Sequence, residues 1–290
     1  MMKTVLLSGA SGFIARRLAR KLKDSGFKTI GISHSSFQIP GYDLVIKSSL
    51  MYPLSGVFEK ENIDVFIHCA YFRGKDEYRI NVEGTKLWAE QAKKNGVDLQ
   101  IFLSSISAKQ DSLSSYGKAK YDLEQWFIKS KNVSFRLGLV VGNGGMFEKM
   151  VSPVKKYPFL PLLDNGSRLV YLTPVDSVCD VIKDIAVDPS VSFRGKVFNL
   201  FQPQPVTLRL ILNRIKKHYN LFCLFIPVSS ILILPFIKLM EFIPFIRLDI
   251  SSNNIIGMRQ NEGRKHRSDL SKFGYPELSF DEMLEKIRIR

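Results

Sequence analysis

Short apolar runs that stop at glycine or serine alternate, through the first half of the chain, with longer stretches whose apolar residues recur at helical spacing. Thr4–Ser8 (TVLLS) reads as a buried strand bounded by Gly9. Phe13–Leu22 sets Ile14, Leu18 and Leu22 on one stripe with arginines opposite, which predicts a helix. Lys28–Ser33, Asp64–Ala70, Leu99–Ser105 and Val133–Val141 read as further strands, and Val82–Lys94 and Tyr116–Lys129 as helices. This alternation predicts an α/β fold built on a doubly wound parallel sheet, with helices on both faces. After the glycine-rich 142–145 stretch the pattern loosens into shorter elements broken by Pro153, Pro158 and Pro161. No linker separates the halves, so residues 1–290 are expected to form one unit. About 1–142 would be a dinucleotide-binding core. About 143–290 would complete that core and add a small, mostly C-terminal substrate lobe.

One stretch, residues 221–246 (LFCLFIPVSSILILPFIKLMEFIPFI), is unusually apolar. Its uncharged part falls short of the roughly 20 residues a spanning helix needs, and Pro227, Pro235 and Pro244 would break such a helix. It is expected to be core, with an in-plane membrane contact as the other reading. Val5–Leu7 is too short for a leader's apolar region and is read as a strand entering a turn.

Composition, at 45% hydrophobic and 24% charged, is that of an ordinary globular chain. Charge is not ordinary. Lys and Arg outnumber Asp and Glu by 42 to 27, a formal net charge of +15, and such a field draws anions. No basic run interleaved with aromatics points to nucleic acid. The three cysteines, Cys69, Cys179 and Cys223, are scattered without a CxxC pair. That speaks against a disulfide framework or a metal site and for a reducing, cytoplasmic setting, at most peripheral at the inner membrane face.

The chemistry gathers in three places. In Ser8–Ala15 (SGASGFIA) a strand runs into a glycine turn that opens a helix. Gly9 allows the turn, Ser11 and Gly12 let backbone approach a pyrophosphate, and the helix N-terminus offers free N–H groups. This is the Rossmann-type arrangement. At the end of the second strand stand Ser33-His34-Ser35-Ser36, where a carboxylate would favour NAD. With no carboxylate, and with Ser33 and His34 able to contact a 2′-phosphate, the cofactor leans to NADP over NAD. Thirdly, Tyr116 and Lys120 lie four residues apart on a helix and so share a face. A lysine cation beside it would lower the phenol's pKa toward one useful for proton transfer. Ser104–Ser107, at the carboxyl end of a buried strand, could orient a reacting oxygen.

These pieces make the chain similar to the extended short-chain dehydrogenase/reductase superfamily, of the nucleotide-sugar epimerase/dehydratase type. The matching stretches are GASGFIA (9–15), IHCA (67–70), NVEGT (81–85), FLSS (102–105), YGKAK (116–120) and RLGLVVG (136–142), with weaker echoes in LTPVDSV (172–178) and KVFNL (196–200). The resemblance implies Ser105, Tyr116 and Lys120 as a catalytic trio, with Lys120 also holding the nicotinamide ribose. It implies Phe13 and Ile14 beside the pyrophosphate and Ala70 along the cofactor. The acidic pair that such dehydratases carry after the serine is replaced by Ile106-Ser107-Ala108-Lys109, which removes dehydration. The loop from Ser105 to Tyr116 is short, which leaves Ser105 and Ser107 both open as the hydroxyl, with Ser107 a substrate contact. Arg259, Arg264, Lys265 and Arg267 are candidates for a sugar's diphosphate.

The expected function is NAD(P)-dependent 4-keto reduction or 4-epimerisation of a nucleotide- or polyprenyl-diphosphate-linked sugar in polysaccharide biosynthesis, with a homodimer as the candidate assembly. The alternative is a non-catalytic dinucleotide-binding protein with a structural or regulatory role.

Overall fold

The structure, a computed structural model, describes residues 2–35, 38–54, 56–188, 191–232 and 265–287. Along the chain come β1 (Thr4–Ser8), α1 (Phe13–Asp24), β2 (Lys28–Ser33), β3 (Leu44–Lys47), α2 (Val57–Lys60) and β4 (Val65–His68). Then follow α3 (Glu77–Lys94), β5 (Leu99–Ser105), α4 (Ser115–Lys129), β6 (Val133–Leu137), β7 (Leu139–Val141), α5 (Gly145–Lys156) and β8 (Phe159–Leu163). The remainder holds β9 (Leu169–Val170), β10 (Leu172–Pro174), α6 (Val175–Val187), β11 (Lys196–Leu200), β12 (Val206–Thr207), α7 (Leu208–His218), β13 (Leu224–Val228) and α8 (Phe280–Glu285).

Two units divide these elements. The first comprises residues 1–110, 115–137 and 175–200, and the second 111–114, 138–174 and 201–290. The first is a seven-stranded sheet in the order β11-β6-β5-β4-β1-β2-β3, every pairing parallel. The doubly wound α/β expectation is met. A parallel sheet covered on both faces has no solvent side, so its central strands need not alternate. Accordingly β1, β4 and β5 are buried along their whole lengths. Trp88 of α3 packs with Leu6, Ile30 and Phe66 of the sheet, and Phe127 of α4 with Phe102. Helices α1 and α6 are joined by Arg17–Asp176 and Lys21–Asp180 ion pairs at 2.7 and 2.5 Å.

The polar residues inside this sheet are only partly paired, since Ser134 Oγ and His68 Nδ1 are buried without a hydrogen-bond partner among the described residues. Gln100 donates from Nε2 to the Ala89 carbonyl and meets His68 Nε2 at 2.9 Å. Burial holds His68 far below its usual pKa, at about 3, so the ring stays neutral.

The second unit surrounds a core that includes Phe147, Val151, Ile211, Ile215, Phe280 and Met283. It carries three two-stranded pairings: β10 with β7, β12 with β9 and β13 with β8. Helix α8 opens on a capping box, in which Ser279 Oγ accepts from Glu282 N and the Glu282 carboxylate accepts from Ser279 N.

Two readings of the sequence are corrected. Val133–Val141 is not one strand. It breaks at Gly138, where a Cβ would fall 2.1 Å from the Tyr171 carbonyl oxygen, and the strand beyond the break, β7, pairs with β10 instead of continuing the large sheet. The apolar 221–246 stretch, described as far as residue 232, is not simply core. Cys223 is buried, but Phe222, Leu224, Ile226, Ile231 and Leu232 are exposed. Only one face of the β13 pairing has a core to pack against, so the period-two alternation of a strand leaves the other half outside.

Candidate active site

At the carboxyl end of β1 the chain turns through Gly9, whose φ of +66° suits glycine and whose missing side chain leaves room for Ala70: a Cβ there would lie 2.9 Å from the Ala70 backbone. Gly12 N donates to the Gly9 carbonyl at 2.8 Å, and α1 begins directly after it. No side chain caps that helix and its first turn holds no acidic residue, so its N–H groups and the positive end of its dipole are free for an anion. Ser11 and Gly12 are exposed, while Phe13 and Ile14 are half-buried in the first turn. Ser8 Oγ accepts from Cys69 N and Ala70 N, both at 3.1 Å, and so ties the ends of β1 and β4 together. Gly9 and Ala70 are thereby brought side by side.

At the end of β2, Ser33 is buried and His34 exposed. The parallel pairing sets Lys47 of β3 opposite Ser33, whose carbonyl accepts from Ser48 N at 3.0 Å. His34, Lys47, Ser48 and Ser49 share a hollow of about 480 Å³. The sequence reading assigned no strand at 44–47, so Lys47 was missed. Its cue was a three-residue apolar run, Leu44–Ile46, too short for periodicity to classify.

Tyr116 and Lys120 project from α4 toward the end of β5. The Ser105 hydroxyl lies near enough to the Tyr116 phenol to pull its pKa down. Ser107 N donates to Ser105 Oγ at 3.2 Å. Of the two hydroxyls left open by the sequence, that of Ser105 acts on the phenol's pKa. Ser104 is spoken for, since its Oγ donates to Glu124 at 2.9 Å.

Lys120 is buried, its Nζ donating to the Leu103 carbonyl at 2.6 Å and lying 5.9 Å from the Tyr116 ring centre. Burial lowers its pKa to about 8, with Cys69 opposing that shift and Arg73 adding to it. The expectation that Lys120 would pull down the phenol's pKa is corrected. Burial dominates and raises the Tyr116 pKa, and the opposing pulls come from Ser105 and Arg73. An ammonium whose proton is committed to a carbonyl, nearly 6 Å from the ring, acts weakly on that phenol.

Three neighbours escaped the sequence reading. The Tyr71 ring stands edge-on to Tyr116 at 4.9 Å, and the Arg73 guanidinium lies 5.9 Å from the Tyr116 ring and 6.0 Å from that of Tyr71. Both residues directly follow the IHCA segment, a position with no spacing signal of its own. Glu124 did have one, for it extends the four-residue step from Tyr116 through Lys120 by one more turn. Its side chain is fully buried, accepts from Ser104, and takes Arg136 Nε at 2.8 Å and Nη2 at 2.6 Å.

Among the described residues no group of three or more His, Cys, Asp or Glu side chains gathers to hold a metal, and no helix is long and apolar enough to cross a membrane. Arg259 and Arg264 lie outside the described residues. Lys265 and Arg267 are exposed in the second unit.

A family model described as the NAD dependent epimerase/dehydratase family matches residues 5–199. A curated relative, the ceramide reductase of Caulobacter vibrioides, is 27% identical in a 194-residue alignment that covers 61% of this chain and 59% of that protein. The chain thus matches well under two thirds of that relative's length. Among solved structures, an epimerase from Methanothermobacter thermautotrophicus superimposes with a TM-score of 0.73 at 18% identity, covering 98% of this chain and 90% of the other. The UDP-glucose 4-epimerase of Thermus thermophilus, in complex with NAD, gives a TM-score of 0.69 at 15% identity, covering 97% and 96%. At these identities the structural likeness speaks for the fold.

Proposed function

Because the chain belongs to the NAD dependent epimerase/dehydratase family, we propose that it is a dinucleotide-dependent sugar reductase or epimerase. It acts at the C4 position of a sugar carried on a nucleotide or a polyprenyl diphosphate, as a step in building a polysaccharide. The observation that carries this reading is Tyr116 and Lys120 sharing one face of α4 at the carboxyl end of β5, Lys120 bonded to the Leu103 carbonyl two residues before Ser105 and 5.9 Å from the Tyr116 ring.

In this reading the first unit holds the dinucleotide and the second selects the substrate. The residues around the glycine turn fit such a cofactor, since Gly9 leaves room for close backbone approach and the start of α1 offers uncommitted N–H groups. Gly9, Ser11, Gly12, Phe13 and Ile14 would take the pyrophosphate, Ala70 would border the cofactor, and Lys120 would hold the nicotinamide ribose. When bound, a reduced nicotinamide would supply the hydride that the carbonyl carbon takes up. Ser105 holds the carbonyl oxygen, and the Tyr116 phenol gives that oxygen its proton, leaving an alcohol. Burial keeps the phenol protonated at neutral pH, the state a proton donor in a reduction requires.

Reduction is favoured over epimerisation by two observations. The end of β2 carries Ser33 and His34 beside Lys47, with no carboxylate among His34, Lys47, Ser48 and Ser49, a setting that suits the 2′-phosphate of an exchangeable NADP. The relative that aligns over 194 residues is itself named a reductase. Arg259 and Arg264 remain proposed contacts for the substrate's diphosphate, and Ser107 for the sugar, on the sequence alone. Tyr116→Phe is expected to abolish turnover of a 4-keto sugar substrate while leaving dinucleotide affinity within about twofold. Turnover surviving that change would refute the mechanism. Mass spectrometry of the purified protein separates the two reactions: retained NAD marks an epimerase, whereas an empty protein that binds NADPH marks a reductase.

A further inference from the structure

We propose that the outer face of the β8–β13 ribbon, in the second unit, docks on an anionic lipid bilayer. The two strands run parallel with Leu224 opposite Phe159, Phe225 opposite Leu160 and Ile226 opposite Pro161. Leu160, Leu162 and Phe225 turn inward onto the unit's core. Their neighbours turn outward: Phe159 is 55% exposed, Leu224 48% and Ile226 51%. The chain on either side adds Tyr157, Phe222, Ile231 and Leu232, each exposed. Single exposed apolar side chains are normal, but a contiguous set on two paired strands marks a surface that is covered in use.

The charge beside that face identifies what covers it. Each strand is fed by a helix ending in a lysine pair, Lys155 and Lys156 before β8 and Lys216 and Lys217 before β13. Lys156 Nζ lies 5.2 Å from the ring of exposed Tyr157, so a cation stands beside the apolar set, and Lys155 and Lys217 are exposed as well. At the far end of β8, Asp164 is tied to Arg168 at 2.6 Å and adds no net charge to oppose them. An apolar strip flanked by lysines matches the acyl boundary and the anionic headgroups of a bilayer. The inference stands on the second unit alone and is independent of the reaction proposed above.

The test is co-sedimentation of the full chain with phosphatidylcholine vesicles, with and without phosphatidylglycerol, at low and high salt. Pelleting with the anionic vesicles only, weakened by salt, is the expected result. The Phe159→Glu/Ile226→Glu double variant and the Lys156→Glu/Lys217→Glu double variant should each lose roughly tenfold or more of that binding. Circular dichroism of both should match the parent, because the exchanged residues lie on the surface. Recovery of the parent chain in the supernatant at low salt overturns the proposal, and so does undiminished binding by the Phe159→Glu/Ile226→Glu variant. Light scattering gives a third route: a dimer that this variant converts to monomer would assign the face to a second copy and overturn the proposal as well.

Discussion

Glu124 makes the most demanding prediction, because its carboxylate is fully buried while its partner Arg136 keeps 26% of its side-chain exposure. Removing one partner of a buried ion pair leaves the other charge without compensation and costs about 3–5 kcal/mol. The structure orders the two possible losses. Glu124→Leu leaves a guanidinium that still reaches water and orphans the Ser104 hydroxyl, so it should fall at the lower end, about 3 kcal/mol. Arg136→Met strands a carboxylate with 0% exposure, its only remaining hydrogen bond in the set coming from Ser104, and should fall at the upper end, about 5 kcal/mol. The Glu124→Leu/Arg136→Met double variant should recover most of the loss, since neither charge remains to be desolvated. Urea unfolding followed by tryptophan fluorescence reads this directly, because the chain's two tryptophans, Trp88 and Trp126, both lie in the first unit. Trp126 sits two residues past Glu124 on α4. Equal losses for the two single variants, a reversed order, or a double variant as unstable as the sum would refute the reasoning. The pair also anchors β5 one residue before Ser105. The Glu124→Leu protein should therefore lose turnover as well as stability, even under conditions where it remains folded.

Lys120 ties stability to pH. Burial takes its pKa from 10.5 to about 8 in the folded chain, so between those values the unfolded chain binds the proton that the folded chain has released, and stability rises with pH. Relative to Lys120→Met, the parent should gain up to about 3 kcal/mol across that window, at about 1.4 kcal/mol per pKa unit. A flat difference between the two denaturation series would show that the lysine is not buried as described. Gly9→Ala forces a side chain into a φ of +66° and 2.9 Å from the Ala70 backbone, which should cost about 1–3 kcal/mol and weaken dinucleotide binding in a fluorescence titration. Unchanged affinity would mean that the turn does not face the cofactor.

The sequence alone determined the alternation of strands and helices, and with it the parallel sheet, because a strand buried on both faces must be apolar throughout and that is visible residue by residue. It also identified the glycine turn and the Tyr116–Lys120 step, since both are local spacings. Tertiary structure decided whatever depends on partners distant in the chain. Gly138 breaks a run that reads as one strand because Tyr171, 33 residues on, occupies the space a side chain would need. Contacts distant in the chain also commit Ser104 to Glu124, and they set the balance of forces on Tyr116 through its burial and Arg73 rather than through the lysine beside it in sequence. The apolar 221–232 segment shows the same limit: hydrophobicity belongs to the residue, but whether a core lies on both sides of a strand or on one belongs to the fold.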